Sequence, residues 1–193
     1  LELPSKQHYY PDLTFKDEEG HLFAVDFKSS YYQDDKINGL TLGSYWGYFR
    51  NRNSIMNMDH AYNEYSSHLV LGILYKQSVV EEDEKTIFQI DELDAIHSVI
   101  EKFIFFVQPK WKIASDKPGS GNTRNIGGIA SISKLLAGQG TFEPFGEDVF
   151  DDYWMGYFNK ADAQKAGIGS PHYYNLKTYK QYVDNKSQIS KKL

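Results

Sequence analysis

Two aspartates and a lysine near the start of the chain have the types and spacing of a reactive centre. Asp12 follows Pro11, and Asp26-Phe27-Lys28 comes after a gap the size of one β-hairpin. If the flanking segments pair as antiparallel strands, Asp12 near the start of the first lies beside the end of the second. Alternation along the second strand turns Asp26 and Lys28 to one face and Phe27 to the other, into packing. Two carboxylates and an ammonium then converge, the set that phosphodiester cleavage requires. Carboxylate oxygens are hard ligands for Mg²⁺, whose octahedron is completed by waters and a phosphate oxygen. The cation acidifies an attacking water and offsets charge on the phosphate, while Lys28 orients that water or shares the charge. Asp12, Asp26 and Lys28 are thus candidate catalytic residues, with Asp12 and Asp26 as candidate metal ligands. The pattern is short, and a turn shaped by Asp12 beside a surface pair of Asp26 with Lys28 fits the same spacing.

The hairpin that would hold them is legible in outline. Residues 10–15 and the apolar-rich return 22–28 flank the turn-like Asp17-Glu-Glu-Gly20. Beyond it, 59–67 is expected to begin as a helix, and 69–75 to form a buried strand. The acidic stretch 90–101 is expected to be helical, 103–107 and 111–114 to be paired strands, and 127–136 to be a helix after a glycine-rich loop. Residues 147–158 have the aromatic spacing of an amphipathic helix, with Val149, Tyr153, Trp154 and Tyr157 near one another. Strands and helices mix, which predicts an α/β or α+β domain around a central mixed sheet.

At 193 residues, 40% hydrophobic and 16% aromatic, the chain buries one substantial core and is read as one domain, 1–193. It contains no cysteine, which excludes disulfides, thiolate zinc sites and a cysteine nucleophile. The longest apolar runs, near 68–75 and 103–107, are far too short to span a bilayer, and a soluble protein is expected. The net charge of −5 argues mildly against a nucleic-acid partner, but it hides a segregation. Residues 81–94 hold seven acids and one lysine, whereas 160–193 hold seven lysines and two aspartates. That tail is either a phosphate-contacting arm or a solvated surface. His60 with His68, or His97 with His172, shows no recognised zinc spacing, and the tyrosines sit in apolar stretches that suit packing.

The loop Gly119-Ser-Gly-Asn-Thr-Arg-Asn-Ile-Gly127 lacks the Gly-Lys-Ser/Thr ending of a Walker A phosphate loop. Its exposed amides, asparagines and threonine suit the reading of base edges in a major groove. A glycine-rich turn, with Asn122 and Asn125 supplying local hydrogen bonds, has the same composition.

Taken together, Gln7-His-Tyr-Tyr-Pro-Asp12 and Val25-Asp-Phe-Lys-Ser-Ser-Tyr31 resemble the PD-(D/E)xK nuclease motif in the form of the EcoRV restriction endonucleases. Three further stretches follow in the same order. They are Leu40-Thr-Leu-Gly-Ser-Tyr45 with Phe49-Arg-Asn51, then Lys110-Trp-Lys-Ile-Ala114 with the 119–127 loop, then Asp152-Tyr-Trp154. The resemblance implies a restriction-endonuclease-like central mixed β-sheet flanked by helices. It implies a type II endonuclease that uses Mg²⁺ to hydrolyse double-stranded DNA at a short palindrome, GATATC, leaving blunt ends. It further implies that Gly119, Gly121, Asn122 and Thr123 face bases, that Asn125 holds the loop's shape, and that Gln7 reaches the minor groove. Ser30, Tyr31 and Thr41 would touch the backbone or its neighbourhood. A homodimer, a partner DNA methyltransferase and a location in the cytoplasm of a prokaryotic host are implied as well.

Some positions depart from the family. Arg124 and Trp46 replace threonines, His8 replaces an asparagine, and Ser29 and Ser30 stand for two threonines after the lysine. Arg124 would add a phosphate contact, whereas Trp46 cannot replace a hydroxyl. The family's N-terminal segment, which supplies another acidic residue and dimerisation helices, has no counterpart in the eleven residues before Asp12; either the chain is a fragment or the enzyme manages without that segment. A sequence-blind nuclease of the same superfamily, or a DNA-binding module that does not cut, are the competing readings; the 119–125 loop would be of little use to the first.

Overall fold

The computed structural model describes residues 1–78, 85–119 and 124–190. Strand β1 (Leu13–Lys16) and strand β2 (Leu22–Gln33) form the expected antiparallel hairpin, in register from Leu13 with Val25 to Lys16 with Leu22. Asp17 builds the turn, because its Oδ1 accepts hydrogen bonds from the amides of Glu19 (3.1 Å) and His21 (2.8 Å). Two short strands follow, β3 (Lys36–Ile37) and β4 (Thr41–Ser44). The long strand β5 (Tyr65–Gln77) runs parallel to β2, and β6 (Ile100–Pro109) runs antiparallel to β5. The order β1-β2-β5-β6, with β3 on β2, is a mixed sheet. After a single helical turn α1 (Lys110–Ile113), strands β7 (Ala114–Pro118) and β8 (Asn125–Gly128) pair with β4 in a second sheet, ordered β4-β8-β7. Helices α2 (Ile132–Leu136), α3 (Glu147–Gly156), α4 (Lys160–Lys165) and α5 (Leu176–Ser190) complete a mixed α+β architecture.

One face of the main sheet carries the core. Ala24, Asp26 and Ser30 of β2, Val70 and Leu74 of β5, and Phe106 of β6 are all buried. Period-2 alternation sends Phe27, Phe103, Phe105 and Val107 to the opposite face, where each is about half exposed or more (Phe27, 47%; Phe105, 66%). Phe27 therefore turns away from Asp26 and Lys28 as expected, but into an open sheet face and not into packing. Gly72 of β5 lies in register with Lys28 and lets the Phe106 ring cross the strand; a Cβ there would sit 1.9 Å from Phe106 Cε1. Helix α3 presses Phe150, Tyr153 and Trp154 into an aromatic core with Tyr45, Phe49, Phe142 and Tyr157, while Val149 is partly buried beside it.

Several expected elements differ. Only a 3₁₀ turn at Tyr62–Glu64 occupies the expected helix at 59–67, and β5 begins at once with Tyr65, whose β-rich continuation wins. The acidic 90–101 region makes a 3₁₀ turn at Ile90–Ala95 with no buried residue, so no apolar stripe supports a longer helix. Residues 111–114 do not pair with 103–107, because Lys110–Ile113 coils into α1 and carries Ala114 into the second sheet, where it pairs with Gly128. Helix α2 starts only at Ile132, since 125–128 pair in the second sheet and Ser131 caps the helix through Lys134 N.

Candidate active site

The strand expected over 22–28 continues to Gln33, so the hairpin delivers Asp12 to the middle of β2 and not to its end: Asp12 Oδ2 accepts a 2.6 Å hydrogen bond from the Phe27 amide. Within β2, Lys28 Nζ lies 2.7 Å from Asp26 Oδ1 and 3.2 Å from the Phe27 carbonyl oxygen, which accepts from it. Asp26 is 5% exposed, and its second oxygen, Oδ2, is buried without a hydrogen-bond partner among the described residues. Burial pushes the Asp26 carboxyl above the ordinary aspartate range, Lys28 and Lys110 oppose this, and the neighbouring Asp12 carboxyl pushes it up further. Two adjacent carboxylates can satisfy one another only by sharing a proton or a cation. An orphaned buried oxygen beside a second carboxylate is thus a hard-oxygen donor set that fits a divalent cation. Both acids line an open cleft of about 310 Å³ with Lys28, His8, Tyr9, Tyr10, Gly43, Ser44, Tyr48 and Asn125.

A layer that the sequence did not reveal lies beneath them. Lys110, 1% exposed, donates from Nζ to the Tyr10 hydroxyl at 3.1 Å, and Tyr10 Oη lies 2.9 Å from His68 Nδ1. The other ring nitrogen of His68 reaches the Tyr62 carbonyl at 3.1 Å, and the rings of Tyr10, Tyr48, Tyr62 and His68 stack. Burial lowers Lys110 to about 8, with the Asp26 charge opposing the fall. Burial also holds His68 well below the ordinary histidine range, and with Nδ1 on Tyr10 and Nε2 on the Tyr62 carbonyl both ring nitrogens are engaged in packing. His60 is engaged by Glu2 at 3.0 Å and His172 stacks on Tyr182. Lys110 stands in a quoted sequence block, but only the one-turn helix α1 drives it inward, and no spacing rule announces that turn.

The remaining expected residues fall in three places. Asn125 joins the cleft; its carbonyl accepts from the Gly119 amide at 2.9 Å, closing the neck of the 119–125 loop, and it pairs with Ser44 in the second sheet. Thr41 pairs with Gly127, and a Cβ on Gly119 would sit 2.7 Å from Thr41 Cγ2, so glycine permits that close approach. Gln7 is exposed two residues from Tyr9, next to His8, whose φ is +67°. Ser30 is buried on the Asp26 face and bonds to the Tyr31 carbonyl at 3.2 Å, whereas Tyr31 lines a separate groove with Gln33, Asp34 and Lys36. Gly121, Asn122 and Thr123 lie outside the described residues, as do the last lysines of the tail. Arg124, expected to add a phosphate contact, bonds Asp162 through Nε at 3.0 Å and Nη2 at 2.6 Å.

Comparison with known proteins bears on this geometry. Residues 1–184 match the family model described as restriction endonuclease EcoRV. The chain is 31% identical over 188 residues to the type II restriction enzyme EcoRV of Escherichia coli, an alignment that spans 95% of this chain and 73% of that enzyme. The chain therefore belongs to the EcoRV restriction endonuclease family, which makes it a site-specific deoxyribonuclease.

Proposed function

We propose that this chain hydrolyses both strands of double-stranded DNA at a short palindrome, GATATC, to blunt ends, using Mg²⁺ bound at Asp12 and Asp26. Restriction endonucleases of this kind act on DNA and depend on a metal. The observation that carries the reading is the buried, unpartnered Oδ2 of Asp26, set beside Asp12 and the ammonium of Lys28. When bound, the cation supplies charge neutralisation on the scissile phosphate and acidifies the attacking water. Lys28, fixed by Asp26 at 2.7 Å and by its own strand, holds a positive charge where the phosphate and the nucleophile meet. Attack is in line, with no covalent enzyme intermediate.

Sequence is read by the 119–125 loop, where Gly119, Gly121, Asn122 and Thr123 face base edges and Asn125 braces the neck. Gln7 serves the minor groove, and Ser30, Tyr31 and Thr41 serve the backbone or its surroundings. Phosphate contacts position the duplex, and base-edge contacts select it. A palindrome matches two-fold protein symmetry, so the working unit is a homodimer with one site per strand. A cognate DNA methyltransferase would protect the host, and the prokaryotic cytoplasm is the compartment where both meet DNA. No helix among the described residues is long and apolar enough to cross a membrane. Plasmid nicking tests the site: cleavage should require a divalent cation and disappear in Asp26→Ala with the fold retained. Undiminished cutting by that variant removes Asp26 from the metal site.

A further inference from the structure

Trp46 and Arg124, two positions that depart from the family pattern, stand 78 residues apart in sequence and touch in space. The Arg124 guanidinium lies 4.5 Å from the Trp46 ring centroid, and that of Arg50 lies 3.8 Å from the same ring. Arg124 also grips Asp162 with a two-pronged fork, Nε to Oδ2 at 3.0 Å and Nη2 to Oδ1 at 2.6 Å. Asp162 is 4% exposed, and its own amide is capped by Asn159 Oδ1 at 2.8 Å, so the acceptor is fixed before the arginine arrives. A forked pair to a buried carboxylate joins two charge-assisted hydrogen bonds to one defined geometry.

The backbone of Arg124 is held as well. Its carbonyl accepts from the Tyr45 amide at 2.8 Å, and the Tyr45 hydroxyl accepts from Asn159 Nδ2 at 3.5 Å. Arg124 is thus tied to the end of β4 through its main chain and to α4 through its side chain. Its neighbour Asn125 pairs with Ser44, and both line the cleft that contains Asp12, Asp26 and Lys28. On its other side begin the four residues that separate it from Gly119. The Arg124 side chain stays 40% exposed, but two of its three guanidinium nitrogens, Nε and Nη2, are committed to Asp162.

We infer that Arg124, clamped by Asp162 and stacked on Trp46, is a positioning residue for specificity, setting the stem of the 119–125 loop relative to the cleft without contacting phosphate. This rests on the reading of that loop as the base reader. The coupling is physical: releasing the fork frees the stem from α4, and base-edge hydrogen bonds tolerate little displacement.

The test measures kcat/KM on two duplexes, one carrying the site mapped for the unaltered chain and one differing by a single base pair. It compares Arg124→Gln, Asp162→Asn, their combination and Arg124→Lys, with thermal unfolding of each. Arg124→Gln should lower the ratio of the two kcat/KM values about tenfold, the low end of what one mismatched base pair is worth. Asp162→Asn should do the same from α4, and the double variant should lose no more than either single one. Arg124→Lys, which keeps the charge without the fork, should recover only part. The salt dependence of duplex binding in EDTA should be unchanged in Arg124→Gln, whereas loss of a phosphate contact would lower its log–log slope by about 1. A ratio equal to that of the unaltered chain in a folded Arg124→Gln, or a slope reduced in that way, overturns the inference. Should Arg124→Gln fail to fold, Arg124→Lys and Asp162→Asn decide by the same two readouts. If the unaltered chain cuts metal-dependently but shows no preference between sites, the base-reading role of the loop fails before any variant is made. A preference that survives every folded variant refutes the clamp alone.

Discussion

Replacing Lys110 by methionine removes a charge from beneath the cleft at nearly constant volume, and its effect on stability must depend on pH. Lys110 is 1% exposed, and burial lowers its ammonium from the ordinary 10.5 to about 8. The folded-state value lies below the unfolded one, so between these values the unfolded chain holds more protons and stability rises with pH. Holding Lys110 charged at pH 7 then costs about 3 kcal/mol, of which about 2 kcal/mol is recovered by pH 10. Lys110→Met has no such proton and gains nothing. The unfolding free energy of the unaltered chain minus that of Lys110→Met should therefore rise by about 2 kcal/mol between pH 7.5 and 10. Urea denaturation of both proteins in EDTA measures it, and titrations remote from residue 110 cancel in the difference. A difference constant to within about 0.5 kcal/mol, the usual error of additivity, would refute the placement of a buried, titrating lysine under the site. The same substitution removes a like charge from beside a cation held at Asp26, so half-maximal cleavage should require less Mg²⁺.

Gly72→Ala should destabilise the chain by about 2 kcal/mol, the cost of overpacking, because the new Cβ would meet the Phe106 ring at 1.9 Å. Thermal unfolding should fall by about 6 °C, and adding Phe106→Leu should restore part of it; an unchanged midpoint would mean that the ring does not cross Gly72. Mg²⁺ at ten times its dissociation constant should stabilise the unaltered chain by about 1.4 kcal/mol, roughly 4 °C. In Asp26→Ala the same cation should give no shift, and an equal shift would place the metal elsewhere.

The parts of the site held by local chain geometry were readable from the sequence. The hairpin, the shared face of Asp26 and Lys28, and the reach of Asp12 to Phe27 of β2 follow from a turn signal and the two-residue period of a strand. Phe27 marks the limit of that rule, since alternation fixes its direction and says nothing about what covers it. Lys110 and Tyr48 were missed because tertiary packing, not local spacing, brings α1 and the segment after β4 against the hairpin. The helix expected at 127–136 gave way to β8 for a similar reason: its first residues find strand partners in β4 and β7, which no local propensity records. The ion pair of Arg124 with Asp162 was not foreseen because the two lie 38 residues apart, on separate elements.

The proposed activity is metal-dependent cutting at one palindrome. Its most direct test incubates the protein with a plasmid containing GATATC and with a matched plasmid lacking it, each with Mg²⁺ and with EDTA, and maps the ends. Blunt cutting confined to GATATC and abolished by EDTA is the expected result. Cutting of both plasmids, or cutting that survives EDTA, would rule out metal-dependent cleavage confined to that palindrome.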